Sequence, residues 1–288
     1  MPRESVRVRR LVVLMLVAAV AGPSVQARQA RPAVIDLWSR GEPAFGIFVP
    51  NESPGRRGRG AADTPPPAGP PYSAAGGERL AANPLYDFVF LNLESGYDAT
   101  HVRAIAQGLA RGSATRRPAL LVRIPPISRD GAATTAARIR DVLAAGADGV
   151  TLPHVRGVDE ARDAIAMFRA AGADVWSPSN PSGRTIAMLM LEDPGSVDVA
   201  AAIADLPGYS ILACGIGSLR GALGGDRDAA EAGVQRVLAE SKRATLVNML
   251  TANAQDIEER LAQGFTALLT QGAGADEAIR IGRAAAGR

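Results

Sequence analysis

The chain has 288 residues, 47% of them hydrophobic, which is material for one large domain or two small ones and ample for a core. The formal net charge is only +3. The sharpest basic cluster, Arg56-Arg57-Gly58-Arg59, lies in a Pro/Gly stretch without interleaved aromatics, which argues against a nucleic-acid partner. A single cysteine, Cys214, excludes an internal disulfide and a cysteine metal cage, and with two histidines, His101 and His154, any ion should be a hard one held by oxygen.

In chain order, the first feature is a basic leader, MPRESVRVRR, followed by the apolar run LVVLMLVAAVAG (Leu11 to Gly22) and small residues at Val25-Gln26-Ala27. This pattern predicts a secretory signal peptide over residues 1–27, shorter than the roughly 20 apolar residues of a membrane span. The alternative is a buried N-terminal helix. Arg9-Arg10 is only a weak match to a twin-arginine signal. Residues 28–288 would then form a periplasmic or secreted domain with no stable membrane span.

Beyond the leader, short apolar runs alternate with amphipathic stretches. Expected strands are Phe45–Val49, Asp87–Leu91, Ala119–Arg123, Gly149–Leu152, Ile186–Leu191, Ser210–Ala213, Thr245–Met249 and Ala267–Thr270. Their Val, Ile and Leu content with little alternation suits a parallel sheet covered on its outside. Between them, Ile139, Val142 and Leu143, then Ile165 and Phe168, then Ile257 and Leu261 mark helical faces. The stretches AAGADGVTL, AAGADVW and AQGFTALL each set a glycine just past a helix, where a left-handed backbone costs little. Eight strand–helix units in this length predict a single-domain (β/α)8 TIM barrel. The alternative, a doubly wound open sheet, would carry a Gly-rich phosphate turn early; CGIGSLRG comes sixth and lacks the spacing.

One segment breaks the rhythm. Residues 51–83, rich in Pro, Gly and Arg, sit where the first helix belongs, and their first two-thirds cannot form a stable helix. The segment reads as a surface loop or as a lid over the catalytic end. Ala173–Trp176 reads as loop or stub.

In such a barrel the reacting groups stand at the C-terminal strand ends and the loops after them. Those positions hold Asn51 and Glu52, Asn92, Glu94 and Ser95, Arg123, Pro153 and His154, Glu192 and Asp193, Ser218, Asn248 and Gln271. Arg123 ends LLVRIPP and Glu192 ends TIAMLMLEDPG, so each charge follows an apolar strand and must meet water, a counter-charge, a metal or a substrate. Two readings stand: an Arg123–Glu192 salt bridge in the barrel mouth, or a carboxylate for a divalent ion beside a guanidinium for a substrate carboxylate.

Five segments in order, GEPAFGIFV, YDFVFLNLES, LLVRIPP, AGADGVTLPHVRGVDEAR and MLMLEDPGSVDVAAAIADLPG, together resemble the HpcH/HpaI aldolase/citrate lyase family over roughly residues 41 to 285, apart from the Pro/Gly segment. The resemblance implies a barrel that binds Mg²⁺ or Mn²⁺ and cleaves a carbon–carbon bond beside a keto acid or acyl ester. The ion stabilises the enolate and an arginine adds positive charge. By motif, Arg123 matches that arginine and Glu192 the first metal carboxylate. The family's second ligand, an aspartate, is Ser218 here. Its histidine base after the second strand is Ser95, following Glu94, and an aspartate two residues before that glutamate is Asn92.

These departures should weaken ion binding, since a hydroxyl is a poor Mg²⁺ ligand, and they leave general-base work to another group. His154 is one candidate, with a solvated or capping histidine the alternative; Glu94 or Asp193 could supply a replacement carboxylate. His101 reads as surface, Cys214 as structural. WSPSNPSGR, Trp176 to Arg184, reads as a substrate-closing loop or a plain connector. The resulting expectation is an exported, metal-dependent carbon–carbon lyase for a small keto or hydroxy acid. Arg123, Glu94 and His154 would be catalytic. Arg123, Asn92, Ser95 and Ser218 would contact substrate, and Glu192 with Ser218 would hold the ion. Alternatives are a barrel that binds an acid or a partner protein without catalysis, and an enolising or decarboxylating enzyme. The resemblance also implies a homo-oligomer.

Overall fold

This computed structural model describes residues 31–49, 72–113 and 116–288. The expected signal peptide and most of the Pro/Gly/Arg-rich segment lie outside the described residues. Eight parallel strands close a barrel in sequence order: β1 (Ala44–Val49), β2 (Phe88–Asn92), β3 (Ala119–Arg123), β4 (Gly149–Leu152), β5 (Ile186–Leu191), β6 (Ile211–Cys214), β7 (Val247–Thr251) and β8 (Ala267–Thr270), with β8 returning to β1. Helices lie between the strands, as the sequence pattern predicts.

Successive side chains on a strand face opposite ways, so parity sorts them. One parity, including Phe88, Phe90, Leu121, Met188, Met190 and Met249, fills the barrel interior. The other, including Phe45, Val89, Leu91, Val122, Leu189 and Leu212, packs beneath the outer helices. Gly46 faces inward, and a Cβ there would overlap the Phe88 ring. The interior therefore needs both the large ring and the missing side chain.

Helix α1 (Ala33–Ser39) joins the interior cluster through Val34, Ile35, Leu37 and Trp38 at the N-terminal end of the strands. The Trp38 indole donates to the Thr266 carbonyl at 2.9 Å. At this same end, polar residues that open or precede strands tie neighbours together. Asp87 accepts from Phe45 N–H at 3.0 Å, Asp148 from Leu120 N–H at 2.8 Å, Ser210 from Ala187 N–H at 3.0 Å and Asn248 from Thr266 N–H at 2.9 Å. Each satisfies a buried backbone donor that would otherwise be costly to leave unpaired.

Helix α2 (Ala74–Ala82) occupies the last third of the 51–83 segment, the part that composition leaves able to fold, and Ser73 caps it by accepting from Gly76 N–H at 3.0 Å. It crosses α3 (Ala99–Gly112) closely. A Cβ on Gly77 would stand 2.5 Å from the Ile105 carbonyl oxygen and 2.9 Å from the Gly108 Cα.

Two expectations change at the N-terminal end. β7 starts and ends two residues later than the apolar run suggested, so Asn248 lies at the base and Thr251 reaches the mouth. The 176–184 stretch precedes β5 and is a connector at the base, not a substrate-closing loop. Trp176 stacks on Trp38 at 6.1 Å, and its carbonyl accepts from the Ser210 hydroxyl at 2.5 Å. A loop that enters a barrel strand lies at the end opposite the catalytic one, whatever its composition.

Candidate active site

Arg123 is two residues beyond the inward-facing Leu121, and Glu192 is two beyond the inward-facing Met190. Parity therefore delivers both side chains to the barrel mouth. Pro194 opens the next helix (Pro194–Asp198) and stops β5, leaving Glu192 at the junction. Glu192 is only 2% exposed. Its two oxygens lie 3.2 and 3.1 Å from Arg123 Nη2, and the His154 backbone N–H donates to one of them at 3.1 Å. The salt-bridge reading of this pair is thus realised, and it neutralises a carboxylate that could not stay charged and unpaired at that depth.

His154 reaches this position through a backbone feature that its sequence position conceals. Its φ of 53° lies in the left-handed region, uncommon outside glycine. The turn directs its N–H at Glu192 while Val155 N–H goes to the Met190 carbonyl at 3.0 Å. The imidazole then stands among carboxylates: Nε2 is 3.1 Å from Glu94 and 3.6 Å from Glu192, and Nδ1 is 3.9 Å from Asp193. The hydrogen bond to Glu94, with the charges of Glu192 and Glu94, raises the His154 pKa above the ordinary histidine value, against the opposing effects of burial and Arg123.

Glu94 closes the cluster. It lies 2.9 Å from Arg123 Nη2, and its loop is held by Asn92 Oδ1 accepting from Glu94 N–H at 3.3 Å and by Arg129 donating to the Glu94 carbonyl at 2.8 Å. Arg123, Glu94, His154 and Glu192 are therefore one contiguous unit. Asn92 serves the turn that presents Glu94, and Ser95 is exposed. Of the cluster, Arg123 and Glu192 line the cavity described next; Glu94, His154, Asn92 and Ser95 are not on its wall.

A cavity of about 260 Å³ opens beside Arg123 and Glu192. Phe48, Phe90, Met190, Met249 and Leu269 make its apolar side, and Ser218, Thr251 and Gln271 add polar groups. Phe48 and Phe90 stack at 5.9 Å. Ser218, on the helix Ile216–Ala222, does face this cavity, as its motif position implied. Gly215 permits Glu192 to sit where it does, because a Cβ there would overlap Glu192 Oε1 and come within 2.7 Å of its Cδ. Thr251 and Gly215 were not singled out in the sequence; strand parity would have found the apolar wall, and only close approach identifies the glycine.

Of two residues set aside on sequence grounds, Cys214 is structural as expected, whereas His101, expected at the surface, has a buried Nδ1. Cys214 is buried, and burial with the Glu192 and Glu231 charges pushes its thiol up to about 12, so it is no nucleophile. His101 is half-buried against the Tyr72 ring at 4.8 Å, away from the cluster.

A divalent ion of the kind implied by the resemblance finds a poor donor set here. Both Glu192 oxygens already face the Arg123 guanidinium, one also takes the His154 N–H, and the second ligand position holds a neutral hydroxyl. Among the described residues, no group of three or more His, Cys, Asp or Glu is arranged to hold an ion. The residues present do not fit the group.

The closed parallel barrel thus carries a guanidinium–carboxylate–imidazole cluster at its C-terminal mouth, the end at which active sites of this fold lie. The chain belongs to the HpcH/HpaI aldolase/citrate lyase family, whose model matches residues 79–275. Among solved structures it is similar to an HpcH/HpaI aldolase/citrate lyase family protein from Burkholderia cenocepacia J2315. That match has 19% identity and a TM-score of 0.65, and covers 88% of this chain and 97% of that one. Macrophomate synthase is similar at 17% identity and a TM-score of 0.59, with 83% and 82% covered. The CitE protein from Mycobacterium tuberculosis, in complex with magnesium, acetoacetate and coenzyme A, is similar at 18% identity and a TM-score of 0.54, with 85% and 80% covered. At these identities the likeness carries the fold. No curated protein matches the chain.

Proposed function

We propose that the barrel mouth binds a small 2-keto or hydroxy acid and makes or breaks a carbon–carbon bond beside its carbonyl through a pyruvate-type enolate. The observation that carries this reading is Arg123. Its Nη2 meets Glu94 and Glu192, yet among the described residues its buried Nε has no hydrogen-bond partner. Arg123 lines a small cavity and keeps a donor to be satisfied, and a substrate carboxylate or keto oxygen that draws the guanidinium toward it would supply the acceptor.

In the cleavage direction, a base removes the proton of the substrate's 4-hydroxyl. The C3–C4 bond then breaks, an aldehyde leaves, and its bonding pair becomes the enolate of the keto acid. A proton returned to C3 gives the pyruvate-type product. Glu94 and His154, 3.1 Å apart, can accept the first proton and return one. Arg123 holds the oxygens on which the enolate charge develops, in a site walled by Phe90, Met190 and Met249, where such an interaction is strong. A volume near 260 Å³ suits a short acid. The basic and apolar leader supports export, and export favours aldol cleavage over that of a coenzyme A thioester.

A second reading, a barrel that binds an acid without turning it over, is favoured by Ser95 and Ser218 at positions where the family resemblance implies a base and a metal ligand. Exchange of solvent deuterium into the methyl group of pyruvate separates the two. The folded native protein is expected to catalyse it, and Glu94→Gln or His154→Gln to slow it by about 10²–10⁴-fold. No exchange above the buffer rate, in protein whose circular dichroism is that of a folded barrel, rejects enolate chemistry and leaves the binding reading.

A further inference from the structure

The donor set at the mouth departs from what the family's chemistry asks for, and the departure is coherent. A divalent ion needs carboxylate oxygens with free lone pairs converging on one point. Glu192, the residue matching the first ligand, instead has Arg123 Nη2 within 3.2 Å of both oxygens and a backbone N–H on one of them. The backbone contribution comes from the left-handed turn at His154. Opposite Glu192, the second ligand position is the Ser218 hydroxyl, which brings no charge. The remaining acids do not substitute: Glu94 is held 2.9 Å from Arg123 and 3.1 Å from the His154 imidazole, and Asp193 lies outward with its side chain 45% exposed.

We infer that this site works without a bound divalent ion: Glu192 is a positioning residue that fixes Arg123 and the 153–155 turn, and Arg123, among the described residues, receives the substrate acid. This rests on the proposed reading only in taking the cavity beside Arg123 as the site. The loss of the ion is traced to two changes at the ligand positions, the serine at 218 and the engagement of Glu192 by its neighbours. Restoring a carboxylate at 218 should therefore restore affinity.

The test is Mn²⁺ binding read by the electron paramagnetic resonance signal of the free ion, together with calorimetric binding of oxalate with and without EDTA. The native chain is expected to leave the free Mn²⁺ signal unchanged and to bind oxalate equally with the chelator present. Ser218→Asp is expected to gain Mn²⁺ affinity by at least about tenfold. Stoichiometric Mn²⁺ binding by the native chain that Glu192→Gln abolishes overturns the inference. A Ser218→Asp chain, folded by circular dichroism, that binds Mn²⁺ no better than the native one overturns the share of the loss assigned to Ser218 and leaves it with the engagement of Glu192. The ion measurement is independent of turnover. Pyruvate exchange that requires Mn²⁺ would defeat this inference while the proposed reaction stands; absent exchange would defeat the reaction without altering the Mn²⁺ result.

Discussion

At the scale of single residues, the site depends on groups whose worth lies in what they touch. Gly215 has an ordinary backbone (φ −82°), so its importance is the space it leaves: an added Cβ overlaps Glu192 Oε1 and stands 2.8 Å from Cγ. Gly215→Ala is expected to displace Glu192, destabilise the fold by about 1–3 kcal/mol as overpacking does, and lower pyruvate exchange more than the melting shift alone implies. A variant with native exchange would show that Glu192's position is unimportant. Cys214, on the same wall, has burial, Glu192 and Glu231 all opposing the thiolate, the first most strongly. Iodoacetamide is therefore expected to label it negligibly in folded protein throughout the neutral range, and readily once denaturant exposes it; rapid labelling of native protein near pH 7 would contradict the assignment.

Element by element, the sequence was legible wherever strand and burial coincide. The expected boundaries of β3, β4, β5 and β8 match those found; the apolar runs of β3, β4 and β5 end at a charge or a proline, and that of β8 at Thr270-Gln271. β7 was misplaced because Thr245 and Leu246 extend the apolar, β-favouring run upstream although Thr245 is a left-handed turn residue, φ 55°. That shift also put Asn248 at the wrong end. Arg123 and Glu192 were readable as charges that must be answered, but their answering each other, and Glu94 and His154 joining them, depends on through-space distances and on the turn at His154. At the opposite ends of the strands, Asp148 is held by Arg117 at 2.5 and 2.7 Å and takes the Leu120 N–H. Asp148→Ala would leave a half-buried guanidinium and a buried amide unpaired, so a loss of roughly 3–5 kcal/mol is expected. Thermal unfolding checks this, with pyruvate exchange per folded molecule unchanged; a loss of exchange without a melting shift would contradict a purely structural role.

For the molecule as a whole, the barrel divides its labour between two ends. The base is closed by α1, by the Trp38–Trp176 stack and by side chains that cap strand donors, and the polar groups described there are all paired. The mouth gathers Arg123, Glu94, His154 and Glu192, and among the described residues Arg123 Nε there lacks a partner, on a residue lining a cavity of about 260 Å³. Two larger openings lie elsewhere: one of about 620 Å³ at the base around Trp38, Trp176 and Asn248, with Lys242 on its wall, and one of about 630 Å³ lined by Asp148, Asp174 and Arg184. Only the mouth cavity is walled by Arg123 and Glu192 and lies at the C-terminal strand ends. The most direct measurement is a crystal structure of the chain with oxalate, an analogue of the pyruvate enolate. The account predicts oxalate in the mouth cavity with an oxygen within hydrogen-bond distance of Arg123 Nε. Oxalate seated at the base near Trp176, or an Arg123 Nε still without an acceptor at full occupancy of the ligand, would contradict it.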